Sequence, residues 1–168
     1  MRILPVTVLS CCACLVMPGA ASAQPRRPPP QAQSPGQVLA KVTPEQVASA
    51  LQQAGYRAQV VADSNGKHID TAFRNMNVGV LFYNCDNAGC GSFQYLTGWT
   101  KDPSLSVEYA NAWNAAYLFA KAYVDNDGNF IFVMDVNADG GITPKTISQS
   151  ALWFDNLLGE LLKFQPSK

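Results

Sequence analysis

An α+β fold is predicted by three features of the 168-residue sequence. A helix-start signature follows residue 42, runs of partly alternating apolar residues are separated by tight-turn residues, and the last long segment repeats apolar residues in steps of four and three. Strands joined by such short turns must run antiparallel, and amphipathic helices must cover one of their faces. The predicted order is α-β-β-β-β-α-β-β-α around one core, with no internal repeat.

Thr43-Pro44-Glu45-Gln46 opens the first helix. Thr43 suits the cap, Pro44 the first helical position, and Gln46 completes a capping box. Val47, Ala50, Leu51 and Ala54 then recur at helical spacing, and Gly55 stops the run. Tyr56 to Ala62 reads as a strand, Ser64-Asn65-Gly66-Lys67 as a hairpin turn, and His68 to Phe73 as the returning strand. Val78 to Tyr83 is a third strand, and its near-continuous apolar character predicts a central place. Asp86 to Gly89 turns into a fourth strand, Ser92 to Thr100. A second helix runs from Ser104 or Ser106 to about Phe119, with Val107, Ala110, Asn114 and Tyr117 on one face and Tyr109, Trp113 and Ala116 on another. Ala120 to Val124 and Phe130 to Val136 are strands around an Asp125–Gly128 turn. The last helix, from Thr143 or Pro144 to Phe164, repeats Ile147, Ala151, Phe154, Leu158 and Leu161.

The start of the chain reads as an address. Residues 1–23 carry Arg2, an apolar run of about 15 residues that is too short for a bilayer anchor, and Ala21-Ser22-Ala23, which a signal peptidase accepts. Val8-Leu9-Ser10-Cys11 has the wrong order for an acylated cysteine, and the apolar run continues past it, so no stable membrane anchor is expected. Residues 24–36 hold five prolines and form a polyproline-like spacer that cannot bury a core. The folded domain is residues 37–168. The expected location is the periplasm or outside the cell, an oxidising compartment where paired thiols become disulfides.

Twelve Lys and Arg balance twelve Asp and Glu. That excludes a polybasic nucleic-acid binder. Cys85 and Cys90 flank a four-residue turn between adjacent strands, which brings them near disulfide distance. The short loop restrains the unfolded chain by about 2–3 kcal/mol in the entropy model. Redox thiols favour Cys-x-x-Cys at a helix start, and a metal site needs more ligands than one His and these two thiols provide.

Asp135, Asn137 and Asp139, followed by Gly140, match the opening of a calcium loop. Thr146 stands where the bidentate Glu belongs, and a strand enters instead of a helix, so no metal or cofactor is expected. His68 and Asp70 share a strand face, but no nucleophile motif accompanies them and no catalytic residue is expected. Tyr95, Trp99, Tyr109, Trp113, Tyr117 and Phe119 cluster around the fourth strand and second helix. Most belong to a core, and those in excess of core need are candidate partner contacts.

Asn111-x-Trp113-Asn114, then Phe119-x-Lys121-Ala122-Tyr123-x-Asp125-x-Asp127-Gly128, resemble a YbjN-type domain. Asp135, the Gly140-Gly141 pair, Trp153 and the Phe82-Tyr83-x-Cys85-Asp86-x3-Cys90 stretch fit the same pattern, over roughly residues 42–164. Ala115, Ala116 and Tyr117 stand where the family usually places a basic residue. The resemblance implies a regulator of bacterial sensory transduction with no established catalytic residues. Its fold would be similar to that of type III secretion chaperones, which bind protein segments and often dimerise. The expected function is therefore a non-enzymatic, chaperone-like or regulatory adaptor for a protein or peptide. A sheet edge or a second copy of the chain would supply the contact. A calcium-modulated module and a hydrolase with an unrecognised site are the alternatives.

Overall fold

A computed structural model describes residues 36–64 and 66–165. The address at 1–23, the spacer at 24–35 and Asn65 of the first turn lie outside the described residues. The element order is α1 (Pro44–Gln53), β1 (Ala58–Asp63), β2 (Gly66–Phe73), β3 (Met76–Asp86), β4 (Gly89–Trp99), α2 (Val107–Ala116), β5 (Ala120–Val124), β6 (Phe130–Asn137) and α3 (Pro144–Leu161). This is the predicted α+β order.

The strands form one antiparallel sheet in the order β1-β2-β3-β4-β6-β5. The first four strands are a meander. β6 then pairs with β4, which leaves β5 at the edge, and β3 and β4 are central as expected of β3.

Helix starts follow local chemistry. Thr43 caps α1 and exchanges both capping-box bonds with Gln46. Thr143 caps α3 through Thr146, with Pro144 in the first turn. Gly55 takes φ +91°, the left-handed stop that a side chain resists. Ala54, expected on the buried face, sits at the helix end and is exposed.

Alternation along the strands gives the sheet one covered face. Ile69, Phe73, Val80, Phe93, Tyr95 and Phe132 point into the core. The α3 stripe of Ile147, Ala151, Phe154, Leu158 and Leu161 closes over them, all buried. Phe154 stacks on Tyr95 at 5.2 Å between centroids and meets Phe73 edge-on at 5.6 Å. Fully buried side chains of this size each contribute about 1.5–3 kcal/mol. The other sheet face carries Gln59, His68, Asp70, Gln94 and Asp135, as one-sided antiparallel sheets do.

α2 departs from expectation. It ends at Ala116, and its inward residues are Ala110 and Trp113, while Val107 is exposed. Tyr117 is extended, at φ −124° and ψ 149°, so the chain leaves the helix there and returns as β5 beside it. Trp113 Nε1 donates to the Ala120 carbonyl at 3.1 Å. Asn114 donates to the Ala122 carbonyl at 2.9 Å and accepts from the Ala122 N–H at 2.8 Å. An amide side chain thus takes the place of a neighbouring strand, a common way of blunting an exposed edge. This occupies the outer side of β5, while at the other edge Gln52 donates to the Ala58 carbonyl at the start of β1 at 2.7 Å.

Candidate functional site

A strap precedes α1. Leu39 and Ile142 exchange backbone bonds of 2.8 and 2.9 Å, and Val42 does the same with Cys90 at 3.0 and 2.7 Å. Cys85 and Cys90 stand opposite each other in the β3–β4 register and are joined as a disulfide, with Cα atoms 3.9 Å apart. Lys41 of the strap pairs with Asp86 beside the bond. The disulfide therefore ties the tip of the central hairpin that the strap lies on.

His68 lies on the open sheet face with Nδ1 3.7 Å from Asp63 and Nε2 3.5 Å from Asp70. It borders an open groove of about 440 Å³ with Lys67, Leu81 and Tyr83. Among the described residues lining this groove there is no serine, threonine or cysteine. The arrangement can orient an imidazole, and the hydroxyl present among these described lining residues is the Tyr83 phenol, which donates to Gln94 at 3.3 Å.

The Asp135–Asp139 loop does not converge. Asp135 is held by Lys121 at 2.9 Å and Gln94 at 2.5 Å, across neighbouring strands. Burial raises its carboxyl pKa, but the bonds from Lys121 and Gln94 outweigh that and hold it below the usual carboxylate value. Asn137 accepts from the Asp139 N–H in a local turn. The Asp139 carboxylate lies against Gly91, so close that a Cβ there would be 2.6 Å from it. Among the described residues, no three His, Cys, Asp or Glu side chains gather as a metal would require.

The candidate contact aromatics are mostly core. Tyr95 and Trp113 are fully buried, which removes them from any contact surface. Tyr95 shares a hydrogen bond with Ser150 at 3.1 Å, and burial pushes its phenol pKa far up. Trp99 and Tyr109 pack against Phe130 from two sides, and Tyr117 stacks on Trp113 at 4.0 Å. These three are half-buried and belong to the core margin.

Of the clustered aromatics Phe119 is the exposed one, and it forms a ledge where the α2–β5 turn meets α3. Leu118 is 75% exposed, Phe119 70% and Trp153 47%. The Phe119 and Trp153 rings lie 5.2 Å apart. Phe119 has φ +73°, and the Ala120 N–H bonds back to the Leu118 carbonyl at 3.0 Å. That is a tight three-residue turn in a backbone region that costs a bulky residue about 1–3 kcal/mol.

A hollow of about 220 Å³, mostly apolar in surface, opens beside the two rings, with Met134 and Val136 and the polar Asp135, Asn137, Thr146 and Gln149 around it. A second, of about 260 Å³, is bounded by Phe119, Trp153, Asn156 and Leu157. The sequence signal for this ledge was present. Leu152 and Trp153 fall outside the buried stripe of α3, and Leu118 and Phe119 follow the end of α2.

The sequence pattern of the YbjN family, described as "Putative bacterial sensory transduction regulator", matches residues 43–153. The fold is similar to the crystal structure of YbjN from E. coli, described as "a putative transcription regulator". That likeness has a TM-score of 0.56 at 13% identity and covers 71% of this chain and 88% of that one. No curated protein matches the chain.

Proposed function

Because the chain belongs to the YbjN family, we propose that it is an exported, non-enzymatic adaptor that holds an apolar segment of a partner protein on the Phe119–Trp153 ledge. One observation carries this reading: a large aromatic side chain is kept in solvent by a strained turn, stacked on a second exposed ring. Backbone strain of this kind persists where the surrounding structure imposes it, and it clusters at binding sites. Paired exposed aromatics beside apolar hollows are the usual anchor points of protein contacts.

A regulatory role accords with the family description. Charge favours exerting it through protein and not nucleic acid, since residues 37–168 carry nine Lys and Arg against twelve Asp and Glu. Export is supported by the leader-like residues 1–23 and by the Cys85–Cys90 bond, which suits an oxidising compartment.

Selection of random dodecapeptides on the purified chain tests the binding role. Peptides rich in apolar residues should be enriched, and Phe119→Ser with Trp153→Ser should abolish their capture. Capture unchanged by both substitutions would refute the ledge. Export is tested by the mass of the protein recovered from the cell envelope, which should begin at Gln24.

A further inference from the structure

We propose that Asp135, Val136 and Asn137, the stretch of β6 that outruns β5, form a strand-addition site. The segment of a partner protein that it takes is extended, pairs with β6 through its main chain and sets one apolar side chain between the sheet and α3. This rests on the ledge as a binding surface and adds the conformation and chemistry of what is held there.

The step in the sheet comes from the turn at Phe119. β5 starts at Ala120, whose partner on β6 is Met134, while β6 continues to Asn137. Phe119, at φ +73°, turns the incoming chain out of the line of β5, and the Ala120 N–H bonds back to the Leu118 carbonyl. Asp135, Val136 and Asn137 therefore pair with β4 on one side and have no strand on the other.

The phase of the ladder gives the groups that face the step. Antiparallel strands exchange bonds at every second residue. The Ala122 N–H and carbonyl both turn outward to Asn114, so Lys121 and Tyr123 are the β5 residues that bond inward, to Val133 and Ile131. On the other side of β6, the Ala138 N–H bonds to the carbonyl of Gly91 in β4. The odd-numbered residues of β6 thus face β5, and Asp135 and Asn137 continue that series past its end. Among the described residues, none bonds to the main-chain N–H or carbonyl of either. Two donors and two acceptors stand in the register of a missing strand, which is the template that an added strand uses. A helical partner would leave all four unpaired.

The hollow beside the step sets the side chains. Phe119, Val136, Gln149 and Trp153 are among its walls, and its volume is about 220 Å³. That is below the roughly 300–1,000 Å³ of a small-molecule pocket and suits a single large side chain. A residue added opposite Val136 points to the face that Val136 packs on and enters this hollow. Its two neighbours point to the open face, beside Gln94 and Asp135. The favoured sequence is therefore polar, apolar, polar.

The test takes the dodecapeptide most enriched on the full chain and remakes it with one N-methyl group at each position in turn. Fluorescence anisotropy then reads the affinity. Binding should weaken by about tenfold at alternate positions around the apolar anchor and stay unchanged between them. Asn137→Pro removes one donor of β6 where no strand needs it. It should weaken the unmodified peptide by about tenfold relative to Asn137→Ala, which loses the same side-chain bond to Asp139. The methyl scan needs no change in the chain, so it decides even where Asn137→Pro unfolds. Weakening at every position, or at none, would overturn strand addition. A dimer in sedimentation that Asn137→Pro dissolves would overturn a partner protein as the occupant. Capture that Phe119→Ser with Trp153→Ser abolishes, but that is indifferent to alternate methylation, overturns the added strand alone; no capture by the native chain overturns the ledge with it.

Discussion

Replacing Asn114 with alanine opens the edge of β5. The side chain makes two bonds to Ala122, at 2.9 and 2.8 Å, and satisfies both its N–H and its carbonyl. Each such bond contributes about 0.5–1.5 kcal/mol net, so the pair is worth about 1–3 kcal/mol. For a domain of this size that corresponds to a fall in thermal midpoint of about 4–10 °C.

The same change leaves a strand edge with free donors and acceptors, so two chains can pair through it. Calorimetry should show the fall, and sedimentation should show association that grows with concentration. Asn114→Asp is the control. Its carboxylate still accepts from the Ala122 N–H but cannot donate to the carbonyl, so it should be destabilised without gaining the partner-free edge. A midpoint within about 1 °C of the parent, with unchanged sedimentation, would refute the claim that Asn114 stands in for a strand.

Phe154→Ala removes the ring that stacks on Tyr95 and meets Phe73 and Phe132; denaturant unfolding should show a loss of about 3–5 kcal/mol. The Thr71 hydroxyl is buried without a hydrogen-bond partner, so Thr71→Val should raise stability by about 1 kcal/mol in the same assay. Phe119→Ser and Trp153→Ser, by contrast, should each cost no more than about 1 kcal/mol, because Phe119 is exposed and only about half of Trp153 is covered.

Tyr95 contributes to the alkaline limb, together with Tyr56 and Tyr109, whose phenol pKa values burial also raises. The Tyr95 phenol pKa is raised in the fold, so its stabilisation is complete below the unfolded value of about 10 and is lost as pH rises above it. Tyr95→Phe should be slightly weaker at neutral pH through the lost Ser150 bond, yet lose less stability above about pH 10 in pH-dependent melting.

The order of elements was legible because each boundary has a local cause: the Thr43 and Thr143 caps, the Gly55 and Gly128 turns, the α3 stripe. What local patterns could not give was tertiary. β3 and β4 extend past Tyr83 and back to Gly89 because they pair with each other up to the disulfide. β6 pairs with β4 and not only with β5, a choice made by the whole sheet. α2 stops at Ala116, where Tyr117 turns extended, and the side chains of Trp113 and Asn114 bond to β5 across the turn.

The aromatic set was read by composition, which does not distinguish the buried Tyr95 and Trp113 from the exposed Phe119 and Trp153. Helical phase would have separated Trp153 from its buried neighbours Ala151 and Phe154. The turn that exposes Phe119 has no such signature, since positive φ at a phenylalanine is not written in any one residue.

Hydrogen exchange of the full chain, with and without a saturating selected dodecapeptide, tests the binding claim most directly. Added protection should appear in the turn around Leu118–Ala120 and along α3 from Gln149 to Leu157. Protection confined to the open sheet face around His68 and Leu81, with the ledge unchanged, would contradict it.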